Sequence, residues 1–262
     1  GMIRWKTDPI YLGLISRLRK LAPELVKFNP PPSRETPVIP LVFTEGGSDW
    51  KHLKRALETL SLSEPYKNLK VEFKQYESPM GDQSLLDHCK HISAVHEAVP
   101  TIFIFDRDKP ATVKSVSDDG KPFKDWGNNV FSFAIPVPPH RSQTPDISIE
   151  FYYQDSEIMQ RDEDGRRLYL SKEFNERTGA HKDPDLHLFS RKLDKIKASK
   201  ISVLDCEIYD NYSNSVALSK AAFADNVLKK TKGFHDFDMS AFSIIFDVIL
   251  QIMSQSSSLK TT

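Results

Sequence analysis

The sequence predicts an α/β fold in which a four-stranded parallel sheet is flanked by helices, preceded by a helical arm and followed by mainly helical additions. Three features predict it. Short apolar segments alternate with helical periodicity between residues 38 and 137, the pattern of right-handed βαβ units. One of them, Thr101 to Phe105 (TIFIF), is apolar throughout, as a strand buried on both faces of a parallel sheet must be. Prolines punctuate both ends of this region, at 30–32 and in the PVPP run at 136–139.

Taken in order, residues 2–36 read as a helical arm and linker. Leu12, Leu14, Ile15, Leu18 and Leu21 recur at helical spacing, and the proline run after Asn29 stops the helix. Residues 37–160 form the predicted sheet domain. Val38 to Phe43 is its first strand, and Ser48 stands where a helix N-cap is expected. Trp50, Leu53, Leu57 and Leu60 then share one helix face. Leu69 to Phe73 is the second strand, followed by a helix from Gln83 to Val99 with Leu85, Leu86, Cys89, Ile92 and Val95 inward. Asp82 is expected to cap that helix, His88 and His91 to face solvent, and His96 to pack at its end. Thr101 to Phe105 and Val130 to Val137 complete the sheet. Residues 161–254 read as an accessory region: a hairpin turning at Asp164-Gly165, a lysine-rich stretch of loop and short helix over 171–200, and helices over 219–229 and 237–253. The serine-rich residues 255–262 read as a disordered tail.

Composition narrows the function. Lys plus Arg and Asp plus Glu balance at 36 each, so a surface that wraps duplex DNA everywhere is not expected and any nucleic-acid contact must be local. The two cysteines, Cys89 and Cys206, lie far apart and supply neither a zinc ribbon nor a disulfide framework. Met2 is followed by Arg4 and Lys6 rather than an apolar run, and no stretch is long and apolar enough to span a bilayer. A cytoplasmic address without membrane contact is the expectation.

The informative residues are acids. Glu45, in TEGGSD, follows the first strand, and Asp49 opens the next helix. Asp106 and Asp108, in FDRD, follow the third strand. Ligands of open parallel sheets bind beyond the carboxyl ends of the strands, so two strands deliver acids to one edge. Carboxylates crowded there repel one another unless a cation neutralises them, and oxygen-only donors suit Mg²⁺ or Mn²⁺, one ion or two. Gly46, Gly47 and Ser48, at the start of the helix, are placed to hold a phosphate. Metal with phosphate points to phosphoryl transfer or phosphodiester hydrolysis. Either acidic motif alone is commonplace at a helix N-terminus or loop; it is their joint placement that carries the reading.

LVFTEGGSDWKHLKRAL followed about sixty residues later by TIFIFDRDKP resembles the TOPRIM domain, a Rossmann-like fold shared by topoisomerases, bacterial primases, RecR-like repair proteins and the overcoming-lysogenization-defect (OLD) nucleases. That family places a glutamate after the first strand and a DxD after the third, positions matched by Glu45, Asp106 and Asp108. The EGxxD form, with Asp49, is most similar to the OLD-like branch, and the resemblance spans about residues 38–160. It implies metal ligation by Glu45, Asp49, Asp106, Asp108 and Glu150, with Glu45, Asp106, Asp108 and Lys220 catalytic. For Glu150, in IEFYY, the dull alternative is a surface strand glutamate; for Lys220, in LSKAAFADNVL, it is a solvated helix lysine, the reading favoured on sequence alone. The chain departs from full-length OLD nucleases in lacking a GxxxxGK[ST] phosphate loop, so a stand-alone domain is expected, with a separate ATPase or defence-system partner and an oligomer as open options. The implied activity is Mg²⁺- or Mn²⁺-dependent cleavage of DNA or RNA, in phage or mobile-element defence or in repair. Nucleotidyl transfer with the same acids, and a non-catalytic nucleic-acid-binding or assembly module, are the alternatives.

Overall fold

A computed structural model describes residues 39–75, 80–197 and 199–258. The arm expected over 2–36 lies outside the described residues. Val38–Thr262 forms one compact unit.

Its centre is a five-stranded sheet. Strand β1 (Leu41–Thr44) leads through a short loop into helix α1 (Asp49–Leu60), then into β2 (Glu72–Phe73), α2 (Gly81–Ile92), β3 (Thr101–Phe105), α3 (Pro110–Val116), β4 (Lys124–Gly127) and β5 (Val130–Ala134). The order across the sheet is β2-β1-β3-β5-β4; the first four are parallel and β4 is an antiparallel edge. The expected four parallel strands are therefore present, with a fifth beside them. That fifth strand turns at Asn128 and Asn129, both at positive φ as a tight hairpin turn requires. Its sequence, KDWG, carries no apolar alternation, because an edge strand leaves half its residues in solvent.

Every residue of β3 and of β5 is buried, which is why these segments could be so uniformly apolar. One face of the sheet packs Phe43, Phe103, Phe105 and Val130 against Leu85, Leu86 and Cys89 of α2. The other packs Val42, Ile102, Ile104, Phe131 and Phe133 against α1 and against the C-terminal helices that follow the one-turn α4 (Asp155–Ile158), namely α5 (Lys220–Lys229) and α6 (Ser243–Ser258). Phe223, Phe242, Phe246 and Ile249 thus share a core with the sheet.

Several local expectations are corrected. Helix α2 ends at Ile92 rather than Val99, leaving Val95 66% exposed and His96 in solvent. His88 packs edge-on to Phe43 and Phe103, ring centroids 5.2 and 5.5 Å away, rather than standing free in solvent. Ser48 precedes α1 without a side-chain capping bond. Asp82 does not cap α2: its carboxylate accepts from Lys109 Nζ and Thr112 Oγ1, both at 2.8 Å, tying α2 to α3. The accessory region is less helical than expected. Between residues 169 and 209 it comprises antiparallel pairs of two-residue strands, β6 (Tyr169–Leu170) with β8 (Val203–Leu204) and β7 (Phe189–Ser190) with β9 (Ile208–Tyr209), joined by 3₁₀ turns. Strands of two residues are too short to print a period of two on the sequence. Gly165 does sit in a turn, at φ +78°, but the strand after it pairs with β8 rather than closing a hairpin. Helix α6 runs on to Ser258, so the expected disordered tail begins as helix.

Candidate metal and phosphate site

Register brings the acids together. Thr44 pairs with Ile104 across β1 and β3, so Glu45 and Asp106 leave neighbouring parallel strands at the same edge. The DRD loop is held there from both sides. Asp106 Oδ1 accepts the Ile149 N–H at 3.1 Å, Arg107 N–H donates to Ile147 O at 2.9 Å, and Arg107 Nε donates to Ile135 O at 2.8 Å. The segment that follows β5 is thereby folded over the DRD loop, and it carries Glu150.

Gly46 has a different reason from the one its sequence suggested. Asp49 folds back so that its Oδ2 accepts the Gly46 N–H at 2.6 Å. A Cβ on Gly46 would stand 2.4 Å from Asp49 Oδ1, so only glycine admits this carboxylate. The Gly46 N–H, one of the groups expected to face a phosphate, is thus donated to Asp49. Gly47 O accepts from Trp50 Nε1 at 2.9 Å, and with Ser48 it completes the turn into α1.

Glu150 is neither on a strand nor on the surface. It lies in a 3₁₀ turn, Ile149–Tyr152, and is 1% exposed. Lys220 is likewise not a plain solvated lysine. Ser219 caps α5 by accepting the Ala222 N–H, which starts the helix at Lys220, and Lys220 Nζ lies 3.0 Å from Glu150 Oε2. Ser148 Oγ donates to the same oxygen at 2.6 Å.

The electrostatics follow from burial and crowding. Glu45 is pushed up to about 7, by burial first and then, against relief from Lys109, by Asp82, Asp108 and Asp49. Asp49 is pushed up to about 6 by burial and by Glu150. Burial and Asp49 hold Asp106 well above the usual carboxyl range. Glu150 goes the other way: burial would raise it, but Lys220 and the Ser148 hydroxyl outweigh burial and keep it below its ordinary value. Burial works against the Lys220 ammonium, yet Glu150 and Asp106 hold it above the usual lysine range. These opposed shifts describe a nest of acids with one cation built in.

His52 was not singled out by sequence. It is fully buried, its Nδ1 lies 2.9 Å from Tyr153 Oη, and its Nε2 has no hydrogen-bond partner among the described residues. Burial first, with Lys220 and Lys51, lowers it to about 4, so the ring is neutral. Its buried neighbours one turn away on α1 are Asp49, Arg55 and Ala56, so no apolar stripe marked it in the sequence.

Beside Asp108 and Lys220 opens a cavity of about 290 Å³. Lys109, Lys195, Lys197 and Lys200 also line it, so part of the lysine-rich stretch faces the site. Lys200 Nζ donates to Asp108 O at 2.6 Å and stands 3.8 Å from its carboxylate, joining the accessory region to the DRD loop.

The oxygen-only donor set fits a hard divalent cation, and raised carboxyl pKa values are what such an ion would relieve. Among the described residues no three His, Cys, Asp or Glu side chains already converge as an ion cage. Asp49, Asp106 and Glu150 each spend an oxygen on a protein donor. No helix among the described residues is long and apolar enough to cross a membrane. Comparison with known proteins finds no match to a family model, a curated protein or a solved structure.

Proposed function

We propose that this chain is a divalent-metal-dependent phosphodiesterase acting on nucleic acid, built on a TOPRIM-like sheet of the OLD-like kind. The observation that carries the reading is that Glu45, Asp49, Asp106 and Glu150 lie at one sheet edge near enough for their charges to act on one another, with carboxyl pKa values raised except where Lys220 intervenes. A fold bears such repulsion where function needs it. Glu45, Asp49, Asp106, Asp108 and Glu150 are the residues that would hold Mg²⁺ or Mn²⁺. The ion's chemistry, when bound, is to polarise a phosphate and acidify water.

The chain's own residues do the rest. Lys220, fixed by Glu150, presents a permanent positive charge that favours the developing charge on a phosphate oxygen. Glu45, held up to about 7 by burial when no ion is bound, is a carboxylate whose charged form a cation would favour. Lys109, Lys195, Lys197 and Lys200 draw a polyanion to the cavity mouth, which reconciles nucleic-acid binding with a balanced overall charge. The work fits defence against mobile elements or repair, in a cytoplasmic setting.

The test is incubation of pure protein with supercoiled plasmid, single-stranded DNA and structured RNA, with Mg²⁺ or Mn²⁺ and with EDTA. Metal-dependent cleavage lost in Glu45→Gln is expected. Equal trace cleavage by wild type and Glu45→Gln would sink the reading.

A further inference from the structure

The lysines beside the acids arrive on a chain that begins with a different chemistry. Phe189 and Tyr209 are cross-strand partners of β7 and β9, stacked with ring centroids 5.7 Å apart and planes 29° apart. The Arg191 guanidinium lies 4.4 Å from the Tyr209 ring centroid. Beyond β9, Tyr212 is 86% exposed, on a tip closed by the pairing of Tyr209 with Ser215. The tip is held firmly. Asp210 accepts the Tyr212 N–H at 2.9 Å, the Asn214 N–H at 2.9 Å and the Asn214 side-chain amide at 3.1 Å.

A tyrosine so exposed contributes nothing to the core, and a guanidinium spread over a ring offers a flat cationic face. Lys195 lies four positions after Arg191, at most about 14 Å of chain, so the rings lie within a few nucleotides of the lysine-lined cavity. Lysines near a reacting centre followed by π faces match an unpaired strand, whose phosphates need cations and whose bases need something to stack on. A duplex hides its base faces and would use only the lysines.

We infer that the β7–β9 ribbon and its Tyr212 tip form a stacking platform for an unpaired nucleic-acid strand whose backbone continues into the cavity beside Asp108. This rests on the phosphodiesterase reading and gives that site its substrate class: single strands, overhangs or flaps.

Binding by the full chain is measured in EDTA, by fluorescence anisotropy, with labelled oligo-dT, oligo-U and a blunt DNA duplex. Both single strands should bind more tightly than the duplex. Tyr212→Ala, at a site too exposed to disturb the fold, should weaken single-strand binding about fivefold, the loss of about 1 kcal/mol of stacking. Duplex affinity should be unchanged, and Tyr212→Phe should bind like wild type. Lys197→Ala should weaken all three and flatten the salt dependence. A duplex that binds best, no binding at all, or a Tyr212→Ala effect that is absent or equal on all three would overturn the platform. Because no metal or turnover enters this assay, failed cleavage would refute the phosphodiesterase and leave strand preference standing. Lost strand preference would refute the platform and leave cleavage standing.

Discussion

Replacing Lys220 with methionine keeps the apolar stem of the side chain and removes the charge that Glu150 faces at 3.0 Å. Glu150 is then a carboxylate 2% exposed at its side chain, with, among the described residues, only the Ser148 hydroxyl donating to it. It escapes by taking a proton, and that escape caps the cost. With an ordinary carboxyl value of 4.5, protonation at pH 7 costs about 3.4 kcal/mol, at 1.36 kcal/mol per pH unit. Lys220 is itself a third exposed, so water already screens part of the pair, and about 2–3 kcal/mol is the realistic loss. For a unit of this size that lowers the Tm by about 4–12 °C. The sign with pH is definite. In the wild type the Glu150 carboxyl is held low, so its contribution is present above the ordinary carboxyl range and disappears as pH falls through the lowered value. The gap between Lys220→Met and wild type should therefore be wide at pH 7, narrower at pH 4.5, and closed only once pH falls below the lowered Glu150 value. Thermal unfolding followed by circular dichroism in EDTA, at both pH values, reads it. A Tm loss that is the same at pH 4.5 and 7 would mean lost packing, and no loss at pH 7 would mean the pair is not buried as described.

Gly46→Ala should cost about 1–3 kcal/mol, because a Cβ would overlap the Asp49 carboxylate at 2.4 Å. In an Asp49→Ala background the same change should be nearly neutral, and additive losses in that double-mutant cycle would show the clash is not the cause. Asp106→Asn should raise the metal-free Tm by a few degrees at pH 7.5. A carboxyl raised by burial and Asp49 costs stability as pH climbs through its folded value, so the gain should shrink toward pH 5. A gain that grows on acidification would contradict the crowding.

Much of the sheet was legible because its strands are buried on both faces: TIFIF and VFSFA leave solvent nothing to read, and their burial is complete. The strand ends that carry Glu45 and Asp106 followed from those segments. The edge strand Lys124–Gly127 was missed because half its residues face water, though Gly127, Asn128 and Asn129 advertise the turn. Lys220 looked like any helix lysine, since its partner lies seventy positions away and only tertiary packing brings Glu150 beneath it. The role of Gly46 was misjudged for a related reason. A glycine beside acids suggests room for a ligand, whereas here the room is taken by Asp49. The accessory strands were illegible because two residues cannot show a period.

The central claim is that these acids hold a divalent ion. Crystals grown in EDTA, soaked in Mn²⁺ and measured at the manganese edge test it most directly. The account predicts an anomalous peak within about 2.0–2.5 Å of carboxylate oxygens from both Glu45 and Asp106, a distance typical of hard-cation ligation. Well-ordered crystals with no peak there, or with manganese bound only elsewhere, would contradict it.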